Sequence, residues 1–182
     1  MSLVTTDWLY ENLNNVKIID STWHLPNQRR DAYDEYSKEH IKNSVFFDID
    51  KNSDQETNLP HMLPKLKDWE NAVSNLGIDQ KDKIIVYDNS DLLSSCRCWY
   101  TFIYFGHDPS MISVLNGGLK KWKLEGKPTV NFETVINKSK YKAAENKKMV
   151  KSKSEIVQNI SLKNFKVIDA RSLEDRKSTR LN

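Results

Sequence analysis

The sequence is poor in the residues that staple a chain, ligate metal or cradle phosphate. It has only two cysteines in 182 residues, Cys96 and Cys98. That excludes a disulfide framework, and their C-x-C spacing is too close for an easy bridge. The four histidines, His24, His40, His61 and His107, are scattered. None stands at zinc-ligand spacing from a cysteine or another histidine, so no metal is expected. Five glycines leave no glycine-rich phosphate loop, and no G-x-S-x-G supplies a serine nucleophile elbow. No cofactor is implied. Apolar runs are far shorter than the roughly 20 residues of a membrane span, and no basic stretch leads into an apolar one at the N-terminus. Neither anchor nor signal peptide is expected, and the expected location is cytoplasmic.

What is present is an ordinary globular composition, 38% hydrophobic and 29% charged, with net charge +3. The length suits one domain or one domain and part of another. The charge is unevenly spread. Residues 1–137 carry 15 Lys/Arg against 20 Asp/Glu, whereas residues 138–182 carry 13 against 5. The basic segment reads as a solvated linker or as a nucleic-acid tail. Sparse aromatic interleaving and the absence of a binding motif favour the linker and no nucleic-acid partner.

The first 130 residues alternate helix and strand. Thr6 is the expected cap of a helix through Trp8, Leu9 and Leu13. "VKIIDS" (16–21), "SVFFDI" (44–49), "DKIIVYD" (82–88) and "MISVLNGG" (111–118) read as strands. Between them lie the helical stretches "RDAYDEYSKEHI", "LKDWENAVSNLG" with Gly77 as its stop, and "CRCWYTFIYF", started by Ser94 or Ser95 and stopped by Gly106; "LKKWKLEG" comes after the last strand. Strands alternating with helices imply parallel pairing with right-handed crossovers, an open α/β sheet covered by helices on both faces.

The tail echoes the start. "VKIIDSTW" (16–23) returns as "FKVIDARS" (165–172), and the helical lead-in returns with it; Asp20 and Asp169 are 149 residues apart. That period fits a tandem duplication of one domain. Residues from about 150 onward are therefore expected to be the first helix and strand of a second copy. A lone helix and strand bury no core, so the chain is expected to be a fragment.

The junction "KIIVYDNSDLLSSCRCWYTF" (83–102) is where an α/β protein usually keeps its chemistry. Asp88 ends the strand there, ahead of a helix N-terminus that favours anions. It is read as a structural cap or as an aspartyl nucleophile, the latter with only Asp91 nearby to help hold a metal. Cys96 and Cys98 fall inside the helix, as buried bystanders or as a reactive thiol. His61, in the proline-flanked "LPHMLP", either reaches a cleft or bonds a backbone carbonyl. Arg171, just after a strand end, either reaches an anion or forms a surface salt bridge.

Together these segments resemble the rhodanese-type sulfurtransferases, most closely the two-domain thiosulfate and 3-mercaptopyruvate sulfurtransferases, over roughly residues 3–175. The resemblance rests on "YSKEHI" (36–41), "FFDID" (46–50), "LPHMLP" (59–64), "LGI" (76–78), "VYD" (86–88), "FGH" (105–107), "VLNGGLKKWKLEGKP" (114–128) and "VIDAR" (167–171). Lys42-Asn43-Ser44 replaces the usual Pro-Gly-Ala.

The resemblance implies that the catalytic cysteine's position in this first domain is filled by Asp88, a relic, and that the working cysteine lies beyond residue 182. No catalytic residue is then expected in this chain. His61, Arg171 and Arg176 become the candidate substrate-binding residues. Arg176 stands one place later than the family's second arginine, and "KSTRLN" (177–182) reads as translated adapter sequence or as a native turn.

The expected organisation is an inactive N-terminal rhodanese-like domain (1–130), a basic linker (131–150) and the truncated start of a catalytic domain (151–182). The implied activity moves sulfane sulfur from a small-molecule donor to a thiophilic acceptor through a cysteine persulfide. A non-catalytic rhodanese-like binding module is the alternative. A cell-cycle type dual-specificity phosphatase shares the fold but needs the same missing cysteine.

Overall fold

The computed structural model describes residues 2–170. Five parallel strands form one sheet: β1 (Ser2–Val4), β2 (Lys17–Asp20), β3 (Ser44–Phe46), β4 (Ile84–Tyr87) and β5 (Ile112–Leu115), in the order β1-β5-β4-β2-β3. The helices between them are α1 (Thr6–Asn12), α2 (Ala32–Lys38), α3 (Leu66–Asn75), α4 (Ser94–Tyr104) and α5 (Gly118–Leu124). The central strands β4 and β5 are buried throughout, as continuous apolar runs with both faces covered require. On one face Ile18, Ile85, Tyr87 and Leu115 pack with Leu9 of α1 and Leu119 and Trp122 of α5. Alternation turns Ile19, Ile84 and Val86 to the other face. α4 packs there, and its Phe102 meets Trp69 of α3 edge to face at 4.9 Å.

The crossover after β2 runs outward to β3 through α2, whereas that after β4 runs the opposite way to β5 through α4. Right-handed crossovers in opposite directions put their helices on opposite faces. The chain therefore leaves the C-terminal ends of β2 and β4 in opposite directions, the setting in which an open α/β sheet usually binds its ligand.

One local expectation is corrected, and two features come from the structure alone. The cap of α1 is Thr5, whose hydroxyl accepts the Trp8 N–H at 3.2 Å, while Thr6 is the first helical residue. β1 has no counterpart among the expected strands; three residues carry no periodicity, and the strand exists because Leu3 pairs with Val114. The first compact unit runs to Lys147 and the second begins at Lys148. Residues 131–147 lie against the first unit as a strap. The Ala144 N–H donates to Phe105 O (3.0 Å) and Asn146 N–H to Tyr104 O (2.7 Å), and the Tyr141 ring is only 2% exposed. In the second unit the expected helix is α6 (Lys153–Leu162), with a Ser152–Glu155 capping box. Residues 166–170, within the segment that echoes β2, form no strand.

Candidate functional site

The loops after β4 and β2 build the candidate site. Asp88 caps β4 and is 5% exposed. Its Oδ2 accepts from the Ser95 N–H (2.8 Å), the Ser94 hydroxyl (3.1 Å) and the Ser90 hydroxyl (3.3 Å). Ser94 and Ser95 sit at the start of α4, where unpaired N–H groups and the helix dipole favour negative charge. The loop is tight because Leu93, at the helix cap, takes φ +52°. Its other wall is the Gly117-Gly118 turn. The Leu119 N–H donates to the Asp88 carbonyl at 2.9 Å, and a Cβ on Gly118 would collide with that oxygen. Beside the cradle is a cavity of about 450 Å3, lined among others by Asp88, Ser95, Cys96, Asn116 and Lys120.

Neither cysteine is poised as a thiolate. Burial, then the nearby Asp88 charge, pushes the half-buried Cys96 thiol up. Burial pushes that of Cys98, which is fully enclosed, far higher. Thiolate chemistry needs the opposite shift.

From the β2 side come Asp20, Thr22, Trp23 and His24. The Asp20 carboxyl is fully buried, and desolvation raises its pKa to about 6 against the hydrogen bonds from Thr22. The Trp23 N–H donates to Ser94 Oγ (3.2 Å), tying this loop to the cradle. The Trp23 ring stands edge-on to His61 at 4.7 Å, and its Nε1–H donates to Asp50 Oδ2 (2.9 Å). His61 Nε2 is 2.7 Å from Asp50 Oδ1, and its carbonyl accepts from Arg97 Nη2 (2.5 Å). The "LPHMLP" loop thus sets His61 against Trp23, which in turn is bonded to the Asp88 cradle.

A second cluster lies alongside. Glu35 of α2 accepts from Arg30 (2.6 and 2.7 Å) and from the Asn89 side chain (3.2 Å), and lies 3.1 Å from His24 Nε2. Desolvation is the largest influence on Glu35 and raises its pKa. The hydrogen bonds and charges of Arg30 and His24 outweigh it, and the net direction is down.

Of the candidate residues named from sequence, Asp88 and His61 are linked through Trp23, whereas Arg171 and Arg176 lie outside the described residues. Trp23, Asp50, Thr22, His24, Glu35 and Arg30 join them in the structure without having been candidates. The one usable signal is that Trp23 and His24 closely follow a strand end. Asp50 precedes His61 by eleven residues of irregular loop, a separation with no diagnostic period. Among the described residues, no group of three or more His, Cys, Asp or Glu converges to hold a metal ion.

The sequence profile of the rhodanese-like domain matches residues 5–125. Thiosulfate/3-mercaptopyruvate sulfurtransferase 1, mitochondrial, of Arabidopsis thaliana is 42% identical over 68% of this chain and 33% of its own length. The 3-mercaptopyruvate sulfurtransferase of Rattus norvegicus is 31% identical over 94% of this chain and 60% of its own. Among solved structures, SseA of Escherichia coli, described as a 3-mercaptopyruvate sulfotransferase with the rhodanese fold, superposes with a TM-score of 0.90. The pair shares 31% identity over 97% of this chain and 68% of SseA. The chain spans a third to three fifths of the length of these two curated relatives. A domain match along two thirds of the sequence, with relatives above 30% identity across nearly all of it, leaves one assignment: this chain belongs to the rhodanese-like domain family.

Proposed function

We propose that residues 1–147 are the non-nucleophilic first half of a two-domain sulfurtransferase, and that sulfur passes through a cysteine in the second half. The observation that carries this reading is Asp88. Its carboxylate fills the cradle of serine hydroxyls and a backbone N–H at the start of α4, the environment in which this family activates a thiolate. A carboxylate oxygen has no sulfur to exchange, and the two thiols present are shifted the wrong way.

In the intact protein the second-half thiolate attacks the outer sulfur of thiosulfate, or the sulfur of 3-mercaptopyruvate. The donor's bond to that sulfur breaks and leaves sulfite, or the pyruvate enolate, which takes up a proton. A nucleophilic acceptor then attacks the persulfide's outer sulfur and returns the thiolate. His61, held by Asp50 and Trp23, is the substrate-binding candidate that this reading keeps in the first half, and Arg171 and Arg176 are its candidates for binding the donor's anionic groups. The filled cradle equally supports a non-catalytic rhodanese-like module. The two readings part on whether the gene continues into a second loop headed by cysteine. A cytoplasmic location belongs to the proposal, and fractionation tests it against the mitochondrial designation of the Arabidopsis relative.

The purified chain, given thiosulfate and cyanide, is expected to form no thiocyanate above the uncatalysed rate, with Cys96→Ser indistinguishable. Turnover that vanishes in Cys96→Ser would overturn the reading. Asp88→Cys in the Cys96→Ser background probes the cradle itself. Alkylation against pH is expected to give a thiol pKa below the ordinary value of about 8.5.

A further inference from the structure

Two buried side chains link the end of β2 to the Asp88 loop. Asp20 Oδ1 accepts the Thr22 N–H at 2.9 Å and the Thr22 hydroxyl at 2.5 Å. Thr22 Oγ1 in turn accepts the Asn89 N–H at 2.9 Å. Asp20 and Thr22 are 1% and 3% exposed. Asn89 directly follows Asp88, so the chain of bonds ends on the backbone that shapes the cradle.

The direction of the bonds matters. An ionised carboxylate only accepts. It therefore claims the Thr22 hydroxyl proton and leaves the Thr22 oxygen to face Asn89. Protonation turns a charge-assisted bond into a neutral one of roughly half its strength, loosening the orientation of the same hydroxyl.

We propose that Asp20 is a buried positioning residue for the Asp88 loop, acting through the Thr22 hydroxyl on the Asn89 N–H, so that the loop responds to protonation of a carboxyl it does not touch. The titratable groups around Asp20 are Tyr87 of β4, Tyr36 of α2 and Asp88, whose charge opposes ionisation of Asp20. Asn89 itself is faced by Glu35 at its side chain and by Arg30, which donates to its carbonyl at 3.4 Å. These bonds are the same whether the chain is half of an enzyme or a binding module.

The test is the Asn89 backbone amide in 1H–15N spectra of the whole chain between pH 4.5 and 8. In the wild type its shift is expected to titrate with a midpoint near 6, the value to which burial raises Asp20. Asp20→Asn is expected to abolish that step, Thr22→Val to remove it from Asn89, and Thr22→Ser to restore it. The charged groups that face Asn89 remain in all three variants, so a step that persists in Asp20→Asn has a source other than Asp20 and overturns the proposal. So does a flat wild-type profile. Should Asp20→Asn fail to fold, Thr22→Val decides alone: an undiminished Asn89 step in that variant overturns the proposal.

Discussion

Asp20 and Asp88 are buried carboxylates at the ends of neighbouring strands, held by different donors. Asp88 is met by two serine hydroxyls and a helix-start N–H, Asp20 by the N–H and hydroxyl of Thr22. Burial raises the folded pKa of Asp20 to about 6, above its ordinary 3.8. The folded state therefore binds the proton more tightly. The stability this contributes is fully present below about pH 4 and is lost as pH rises through 6. At about 1.4 kcal/mol per unit, the loss amounts to at most about 3 kcal/mol. Urea midpoints from pH 4 to 7 are expected to show this component in the wild type and to lack it in Asp20→Asn. Gly118 is the other sensitive residue. With φ +56° and the Asp88 carbonyl where a Cβ would sit, Gly118→Ala is expected to cost about 1–3 kcal/mol and to displace the cradle. A Gly118→Ala chain as stable as wild type would mean that the turn relaxes freely.

At the scale of elements, the strap at 131–147 departs furthest from what its composition suggests. Its lysines read as a solvated linker and give no hint of docking. The attachment includes backbone N–H groups, the Thr134 and Ser139 hydroxyls donating to Ser44 O and Ile78 O, Glu70 Oε1 accepting from Ala143, and one aromatic ring. Tyr141 lies parallel to His107, with centroids 6.1 Å apart, and edge-on to Phe102. Tyr141→Ala is expected to cost about 3–5 kcal/mol, as aromatic truncation in a core does, measured by denaturant unfolding. A loss under about 1 kcal/mol, the scale of a surface change, would return the segment to the linker class. Trypsin is expected to cut first among Lys147, Lys148, Lys151 and Lys153, sparing Lys138, Lys140 and Lys142 in the docked strap. The helices were legible because their apolar spacing is local: Trp69, Val73 and Leu76 mark α3 wherever it packs. The Asp50–His61–Trp23 contacts were not, since loop geometry alone joins residues so separated in sequence. The same holds for Glu35, whose partners His24, Arg30 and Asn89 come from two loops and reveal nothing on its own helix.

At the scale of the molecule, alternating apolar strands and helical stretches were enough to predict a parallel α/β sheet, because burial on both faces leaves continuous runs such as Ile84–Tyr87. Strand order was not legible, least of all that β1 lies at the edge against β5. Ser2 pairs with Ser113 and Val4 with Leu115, so β1 waits for a partner made more than a hundred residues later. On a ribosome adding about 5–20 residues per second, that wait is about 5–20 s. During it β2, β3 and β4 can already pair, and once β5 joins them its outer edge stays open until β1 docks. Open edges template association. Nascent chains stalled just after Leu124 are expected to be protease-sensitive and prone to associate, and chains stalled well past Lys147 to be protected. The distance along the chain from β1 to β5 thus sets the time for which each newly made copy is vulnerable to its neighbours on the same messenger.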